Sequence, residues 1–386
     1  MSVRVAVLGA GLVGLHFAVG LERIKEGELE PVGVPLARYR VEPRIEDLEL
    51  AFYVDVDDSK VGRSVYDVAR RELGGILPVP ESLREVEIVR GIHLDSTRGL
   101  PLKARGIEER AGIDAAISVL ADAFKAHRVD VVVNLITTEH GTRRGSEASH
   151  PLLSSRDRIT ASHAYAVAAL EGPGNGRGVS FLNFIPTPLA NDETLVREYA
   201  KKGSLILGDD GATGATPLTA DLLEHLAERN RRVLSIAQFN IGGNTDFLAL
   251  TDPGRNLMKE LTKSSVVEDI LGYDAPHFIK PTGYLEPLGD KKFVSMHIWW
   301  KTFNGLEDEL VVNMRINDSP ALAGLVVDAA RISKALLERG YRGTIYEVNS
   351  FFMKKPGPSG SKNVSRIVAY YKLLELLRRE EILRMN

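Results

Sequence analysis

The sequence has no cysteine among its 386 residues and a single glutamine, Gln238. The lack of cysteine excludes disulfides, thiolate metal sites, iron–sulfur clusters and cysteine nucleophiles. The 49 basic and 52 acidic residues give a formal net charge of -3. Because there is also no basic stripe with interleaved aromatic residues, we expect no nucleic-acid partner. Scarce glutamine beside abundant Glu, Lys and Arg predicts a thermophilic protein.

Long apolar runs are missing as well. No run reaches the ~20 residues that a membrane helix needs, and residues 3–8 lack the cleavage pattern of a signal peptide. We therefore expect a cytoplasmic protein with no membrane partner. The length of 386 residues predicts two domains, or one large domain with an insertion.

Strand-like and helical segments alternate over the first 230 residues. The strand candidates are 3–8, 50–56, 87–89, 129–136, 179–184 and 205–207, and the helix candidates are 13–24, 115–127, 158–170, 192–202 and 216–229. Such alternation predicts βαβ units and a parallel, doubly wound sheet. A glycine-rich stretch at 357–361 predicts a loop or hinge.

The pattern changes after about residue 232. Apolar and polar residues alternate only partly in the segments 233–240, 293–300 and 310–316. Partial alternation indicates strands of an open sheet with one covered face. Helices are predicted after these strands, at 321–339 and 366–383. The predicted fold is α/β, with an N-terminal Rossmann domain and an inserted α+β domain. We expect the Rossmann domain to comprise 1–240 plus 356–386, and the insert 241–355.

A glycine motif follows the first strand. The match to G-x-G-x-x-G consists of Gly9, Ala10, Gly11, Leu12, Val13 and Gly14. In a dinucleotide site the first glycine permits the turn, the second admits the pyrophosphate and the third allows helix–strand packing. Because the motif joins a strand to a helix, we favour a dinucleotide site over an ordinary glycine turn.

An acidic cluster, Asp55, Asp57 and Asp58, ends the second predicted strand. An acid at this point accepts hydrogen bonds from the adenosine ribose, and it favours NAD because it repels the 2′-phosphate of NADP. The spacing from the glycines is about double the usual ~20 residues, which we attribute to an insertion at 25–49. Which of the acids binds the ribose stays open.

Two loops in the second half are rich in glycine and polar residues. Residues 208–216 (GDDGATGAT) join a short strand to a helix and include Thr213, Gly214, Ala215 and Thr216. Such a loop can bind phosphate at a helix N-terminus, or it is an ordinary turn with Thr216 as the helix cap. Residues 240–247 (NIGGNTDF) can likewise hold a cofactor or an ion, or form a simple loop.

Four lysines occur in suggestive settings, although a lysine is usually a solvated surface charge. Lys259 and Lys263 are four residues apart, so they share a face if the stretch is helical. Lys292 follows the turn Gly289-Asp290-Lys291, and Lys354 ends an apolar run.

Four motifs together resemble myo-inositol-1-phosphate synthase in its shorter prokaryotic form. They are GDD with its Thr-Gly-Ala-Thr loop, NIGGNTD at 240–246, NDSPALAG at 317–324 and FMK at 352–354. The resemblance extends from the N-terminal glycine motif to about residue 358. It implies an NAD-dependent isomerase, inositol-3-phosphate synthase, that oxidises carbon 5 of glucose 6-phosphate, closes the ring by an intramolecular aldol step and reduces the product again.

The resemblance also implies roles for particular residues. Lys259 and Lys354 would serve hydride and proton transfer at carbon 5, and Lys292 would polarise the aldehyde. Lys263 and the loop Thr213–Thr216 would hold the phosphate. Asp318 matches a catalytic-site acid, and Asp210 and Asp246 match acids that contact the cofactor. The family usually forms homotetramers and acts in inositol and phospholipid biosynthesis.

The resemblance has one departure, and two other functions compete with it. Family members commonly carry a lysine soon after GDD, whereas this loop reads Gly211-Ala212-Thr213, which leaves a related substrate or a changed affinity open. A monovalent or divalent cation near Asp246 and Asp318 also stays open, because no ligand spacing specifies one. The competing functions are an NAD-dependent dehydrogenase of a semialdehyde or hydroxy acid, and a non-catalytic NAD-binding protein.

Overall fold

The computed structural model describes residues 2–139, 147–172 and 177–384, without the side chains of residue 258 and residues 261–264. Within these ranges the strands are β1 (Val3–Leu8), β2 (Arg40–Val41), β3 (Leu48–Asp55), β4 (Ile88–Arg90), β5 (Val131–Asn134), β6 (Ser180–Asn183), β7 (Leu205–Leu207), β8 (Arg232–Gly242), β9 (His277–Tyr284), β10 (Lys291–Lys301), β11 (Glu307–Asn317) and β12 (Leu383–Arg384).

The helices of the same ranges are α1 (Leu12–Lys25), α2 (Val65–Leu73), α3 (Glu108–Ala111), α4 (Ile113–Ala126), α5 (Pro151–Ser154), α6 (Ala161–Glu171), α7 (Glu193–Lys201), α8 (Thr216–Ala227), α9 (Thr245–Ala249), α10 (Pro253–Leu271), α11 (Asp318–Glu338), α12 (Tyr346–Phe352) and α13 (Arg366–Arg379). None of the described helices combines the length and the apolar character that crossing a membrane requires.

Six strands of the described chain form a parallel sheet in the order β4-β3-β1-β5-β6-β7. Every residue of β5, β6 and β7 is buried, because apolar cores cover both faces of the sheet. Strand order reverses between β1 and β5, and a crevice forms at such a switch point, outside the carboxyl ends of the strands. The predicted α/β class with a parallel sheet is confirmed.

A second sheet in the described chain has the order β11-β10-β8-β9. One face packs on α8 and α10, where Val294, Met296 and Ile298 are buried. The opposite face leaves Trp299 41% exposed, as expected for an open sheet. Strand β9 was not predicted, because Pro281 and Gly283 interrupt its pattern; it tolerates them as an edge strand that pairs only with β8 among the described strands.

The segment between α1 and β3 accounts for the long spacing between the glycines and the acidic cluster. It runs across the first core, where Leu36 donates its backbone N–H to Asp328 in α11 at 2.6 Å. Its strand β2 pairs with β12, which follows α13. The C-terminal helix therefore ends at Arg379, earlier than the predicted residue 383, because the chain turns to form that strand.

Helix α11 returns the chain to the first sheet. It begins at Asp318, three residues before the predicted start, and packs on α1 within the first core. The division of the chain into 1–240 plus 356–386 and 241–355 stays a prediction. Helix α8 packs in the hydrophobic core of the second sheet, whereas α11 packs in a core of the first sheet. This packing favours domain boundaries nearer residues 216 and 317.

Candidate functional site

A cavity of about 560 Å³ opens at the carboxyl ends of the parallel strands. Its walls include loops that follow all six strands of the first sheet, together with residues from the second sheet region and α10. The lining includes Gly9–Val13, Asp55–Asp57, Lys60, Leu135–Thr138, Phe184, Asp210, Thr213, Asn244–Phe247, Lys259, Lys292, Asp318 and Lys354. The structure thus brings the glycine motif and three of the four predicted lysines to one cavity.

The glycine loop is shaped to leave room for a ligand. Gly9 has φ +98°, and a Cβ there would lie 2.8 Å from the carbonyl oxygen of Leu135. A Cβ on Gly14 would lie 2.4 Å from the carbonyl oxygen of Gly9. By contrast, a Cβ on Gly11 would meet nothing within 4 Å, and Gly11 is the N-cap of α1 without a side-chain hydrogen bond. We call the open backbone at Gly11, at the N-terminus of α1, the Gly11 cradle. Such a site at a helix N-terminus can hold a pyrophosphate.

Asp55 is the acid at the end of β3 and lies against the glycine loop. Its Oδ2 accepts a hydrogen bond from the Ala10 N–H at 2.8 Å, and its Oδ1 accepts from the N–H groups of Val56 and Asp57. Asp57 also lines the cavity, whereas Asp58 is not among the lining residues and pairs with Arg90 and Arg105. The position of Asp55 matches that of a ribose-binding acid.

Several polar residues of the cavity were not predicted from the sequence, among them Lys60, Thr137 and Thr138. Lys60 places its ammonium 3.7 Å from Asp55 and 3.9 Å from Asp57, and only its spacing after the acids could have indicated it. Thr137 has a buried hydroxyl with no partner in the described structure. Thr138 donates to Asp246 at 3.1 Å. The threonines follow the buried strand β5, so their position at the crevice edge was the available signal.

Asp210 lies between two lysines. Its Oδ1 accepts from the ammonium of Lys354 at 3.1 Å and from that of Lys259 at 3.2 Å. The chain segment after β7 pairs with the segment after α12, since Lys354 donates its backbone N–H to the Asp210 carbonyl and Lys355 donates to that of Asp209. Lys259 comes from α10 and also pairs with Asp246 at 3.8 Å.

The two lysines differ in proton affinity. Burial lowers the pKa of Lys354 to about 8, with the positive charges of Lys259 and Lys292 adding to the effect and Asp210 opposing it. Burial also disfavours the charged form of Lys259, but Asp210 and Asp246 outweigh it and raise the pKa of that lysine. Near neutral pH Lys259 therefore remains an ammonium, whereas Lys354 can give up its proton.

Lys292 is the third of the predicted lysines in the cavity, and its ammonium contacts Asp318 and Phe247. Its ammonium is 3.5 Å from Asp318 and lies 5.2 Å from the ring centroid of Phe247. Gly214 allows this position, because a Cβ on it would lie 2.8 Å from the Lys292 Nζ. Asp290 holds the turn by accepting from the backbone N–H and the hydroxyl of Ser319, at 2.9 and 2.7 Å.

Asp209 precedes Asp210 and anchors the backbone there through hydrogen bonds. Its fully buried carboxylate accepts hydrogen bonds from the backbone of Leu189 and Ala190, and from Asn183 and Asn191. Burial raises the pKa of Asp209 to about 6, although these hydrogen bonds favour the charged form. The network ties the ends of β6 and β7 together, and it fixes the backbone that presents Asp210.

The predicted phosphate loop is only partly open to the cavity. Thr213 lines it, whereas Ala215 and Thr216 are buried at 2% and 4% exposure. The alternative in which Thr216 caps the helix is wrong, because Ala215 occupies the cap position and Thr216 is already helical. Lys263 belongs to α10, but its side chain lies outside the described part of the structure.

The described side chains include no group of three His, Asp or Glu residues placed to hold a metal ion. The cavity residues that can act chemically include the lysines and their carboxylate partners. Such a cluster can stabilise negative charge on substrate oxygens and exchange protons through a lysine of lowered pKa.

Comparisons with known proteins agree with this geometry. A family model described as myo-inositol-1-phosphate synthase matches residues 214–319. The chain is 47% identical to a myo-inositol-1-phosphate synthase-related protein from Thermotoga maritima MSB8, whose crystal structure matches with a TM-score of 0.90 over 100% of both chains. Inositol-3-phosphate synthase of Corynebacterium glutamicum is 27% identical over 95% of this chain and 96% of its own length.

A more distant solved structure supports the fold alone. Inositol-3-phosphate synthase from Caenorhabditis elegans is 17% identical, with a TM-score of 0.79 over 98% of this chain and 86% of that chain. The whole-length identity to the Thermotoga maritima protein, by contrast, is far above the level at which fold alone is shared. This chain belongs to the myo-inositol-1-phosphate synthase family.

Proposed function

We propose that this protein is an NAD-dependent isomerase that converts D-glucose 6-phosphate to myo-inositol 1-phosphate. The observation that carries the proposal is the pair of ammonium groups, from Lys259 and Lys354, that meet at Asp210 in the same cavity as the glycine loop. The names of the relatives support the same reaction, because several of them are called inositol-3-phosphate synthase.

The residues of the cleft fit NAD. The Gly11 cradle would receive the pyrophosphate, Asp55 would accept from the adenosine ribose, and the unpartnered Thr137 hydroxyl is available to a polar group of the ligand. When bound, NAD would accept a hydride from carbon 5 of the sugar and later return it. The same cavity continues from the glycine loop to the lysine cluster, so sugar and cofactor can bind side by side.

Lys354 is the proposed base at carbon 5. Its lowered pKa makes the neutral amine available near neutral pH, so it can take the hydroxyl proton as the ketone forms. The ketone then loses one proton from carbon 6 to form the enolate, and Lys259, which stays charged, would stabilise the negative oxygen of that enolate. The proton lost from carbon 6 is balanced by the proton that the aldehyde oxygen takes up after ring closure. Protonated Lys354 would give its proton back to the same oxygen when the inosose is reduced, so that no net redox change occurs.

Lys292 is the proposed electrophile for ring closure. In the aldol step carbon 6 attacks the aldehyde carbon, and negative charge develops on the aldehyde oxygen. A nearly buried ammonium, 7% exposed and paired with Asp318 at 3.5 Å, can stabilise that charge where little water competes. Thr213 with its neighbours 214–216, and Lys263, are proposed to hold the phosphate, which adds about two negative charges.

We also propose a homotetramer that uses the open face of the second sheet. The exposed side chains there include Phe239, Phe278, Trp299 and Val311, and the first two rings are 5.5 Å apart. An apolar face of this kind is unfavourable in water. We propose that a second copy of the chain packs against this face.

Incubation with glucose 6-phosphate and NAD+, followed by phosphorus NMR, tests the proposal. An inositol phosphate signal without net formation of NADH is expected. Accumulation of NADH with a ketone or acid product would indicate a dehydrogenase. Binding of NAD+ without turnover of the sugar phosphate would indicate a non-catalytic protein.

A further inference from the structure

The loop that follows β4 forms one end of the cavity. Strand β4 lies next to β3 in the first sheet, so this loop lies beside Asp55, on the side away from the glycine motif. The residues of the loop that line the cavity are Ile92, Ser96, Thr97, Leu100, Pro101 and Leu102. An apolar wall with a few polar groups suits a purine. With the ribose at Asp55, the base of the dinucleotide would bind here.

The side chains of Glu109, His93 and Thr97 form a chain of hydrogen bonds at this wall. The Oε1 of Glu109 is 3.0 Å from the Nδ1 of His93, and the Nε2 of His93 is 2.8 Å from the Oγ1 of Thr97. A carboxylate only accepts hydrogen bonds, so Nδ1 carries the proton and donates to Glu109. In the neutral imidazole Nε2 is then the acceptor, and the Thr97 hydroxyl donates to it. Because its proton is used, Thr97 can offer a ligand only the lone pairs of its oxygen.

Glu109, in α3, is held in its charged form. The backbone N–H of Gly106 donates to its Oε1 at 3.0 Å. Burial disfavours the charge, but this hydrogen bond and the one from His93 keep the pKa of Glu109 below its ordinary value. Near neutral pH Glu109 is therefore an acceptor, and the proton of His93 stays on Nδ1.

The backbone of the loop is fixed in an uncommon conformation. Leu94 and Asp95 have φ values of 40° and 58°, which residues other than glycine rarely adopt. Glu108 holds this bend, because its Oε1 accepts from the N–H of His93 at 3.0 Å and from that of Leu94 at 2.7 Å. Such backbone conformations cluster at ligand sites. Here the bend brings the side chains of His93 and Thr97 together.

We propose that Thr97 selects the adenine base of the dinucleotide, because the Glu109–His93 pair fixes its hydroxyl as a hydrogen-bond acceptor toward the cavity. An acceptor suits the 6-amino group of adenine, which is a donor. It opposes the 6-carbonyl group of hypoxanthine, which is itself an acceptor. The inference rests on the proposed dinucleotide site and adds a preference at the base, which the glycine motif and Asp55 do not supply.

Calorimetric titration of the full-length protein with NAD+ and with nicotinamide hypoxanthine dinucleotide tests the inference. The two ligands share the pyrophosphate, both riboses and the nicotinamide, and they differ only in the second base. At about pH 8, where an imidazole is mostly neutral, the wild type should bind NAD+ more tightly than the hypoxanthine dinucleotide by about tenfold or more.

Two variants remove the hydroxyl and its partner separately. Thr97→Val removes the acceptor, whereas His93→Phe frees the Thr97 proton, so that the hydroxyl can also donate to the 6-carbonyl group. In each variant the preference for NAD+ should fall to about threefold or less. Glu109 has a side chain that is 38% exposed, so it stays solvated in His93→Phe. Thr194→Val and His225→Phe are the matched controls, at exposed residues outside the cavity lining, and should keep the wild-type preference.

The outcomes separate this inference from the proposed function. A wild type that binds both dinucleotides equally, or a preference that survives either substitution, would show that the inference is wrong while the dinucleotide site stands. If the wild type binds neither ligand, the dinucleotide site is wrong and the inference falls with it. The ratio of the two affinities decides, because a general loss of structure weakens both ligands together. Thermal melts that match wild type show that the comparison is between folded proteins.

Discussion

Lys354 and Asp210 are joined twice. The backbone N–H of Lys354 donates to the Asp210 carbonyl at 2.6 Å, and its ammonium donates to the Asp210 carboxylate at 3.1 Å. The backbone bond fixes the register of the two segments, so the ammonium cannot move far from its partner. This double link positions the proposed base.

Replacing Lys354 by Met should lower turnover strongly without unfolding the protein. Methionine fills a similar volume and removes the buried cation, while Asp210 keeps Lys259 as a partner. We expect kcat to fall by about 100-fold or more, with the melting temperature within a few degrees of wild type. Turnover close to wild type in this variant would remove Lys354 from the mechanism.

The pH dependence of kcat should report the same residue. The base must be neutral, and its pKa is lowered to about 8 by burial, so the neutral fraction grows as the pH rises. We expect kcat to increase with pH, with a midpoint near 8, and the midpoint to disappear in Lys354→Met. A kcat that instead falls through this range would indicate that Lys354 acts in its charged form.

Gly11→Ala should weaken cofactor binding and leave the fold intact. The new methyl group meets no protein atom within 4 Å, but it would stand where the pyrophosphate is proposed to bind. Gly20→Ala is the matched control in the same helix, also with nothing within 4 Å, and it should stabilise the protein by about 0.5–1 kcal/mol. Calorimetric titration with NAD+ should show a loss only for Gly11→Ala. Equal affinities in the two variants would contradict the proposed cradle.

Gly214→Ala should act through Lys292. The added methyl group would lie 2.8 Å from the Lys292 Nζ and displace it from Asp318, so we expect kcat to fall by about tenfold or more. Gly305→Ala carries the same backbone strain, since φ is +71° there and +73° at Gly214, but nothing lies within 4 Å. Both variants should lose about 1 kcal/mol of stability. If both lose activity equally, the space next to Lys292 is not important.

Phe278→Asp should dissociate the proposed tetramer. The substitution places a charge on the exposed face of the second sheet, beside Phe239. Light scattering after size-exclusion chromatography should show a smaller assembly. Ile76→Asp, at a residue that is 78% exposed and outside this sheet, is the control and should leave the mass unchanged. A wild type that is itself monomeric would rule out the tetramer.

Local sequence patterns predicted the first sheet well, because its strands are apolar runs bounded by glycine and polar residues. The strand at Leu205–Leu207 has the predicted bounds, and the glycine loop follows β1 as expected. The edge strand β9 was hidden by Pro281, and the turn from α13 into β12 depends on pairing with a strand more than 300 residues earlier in the chain. Pairing partners of this kind are not encoded in a local pattern.

The candidate site was predictable only in part. The motifs indicated which lysines belong together, but the role of Asp210 as their common partner depends on a contact between residues 144 positions apart. The lowered pKa of Lys354 likewise arises from burial and from the charges of Lys259 and Lys292, which the fold brings together. Lys60 carried no signal in the sequence beyond its proximity to the acids.

In the proposed reaction a hydride leaves carbon 5 and returns to the same sugar molecule within one cavity. The decisive experiment is the turnover of glucose 6-phosphate deuterated at carbon 5, with NAD+ present and with mass spectrometry of the product and of the free cofactor. We expect an inositol phosphate that retains its deuterium and a cofactor pool that stays unlabelled. Deuterium released into free NADH, or a product that is not cyclic, would contradict it.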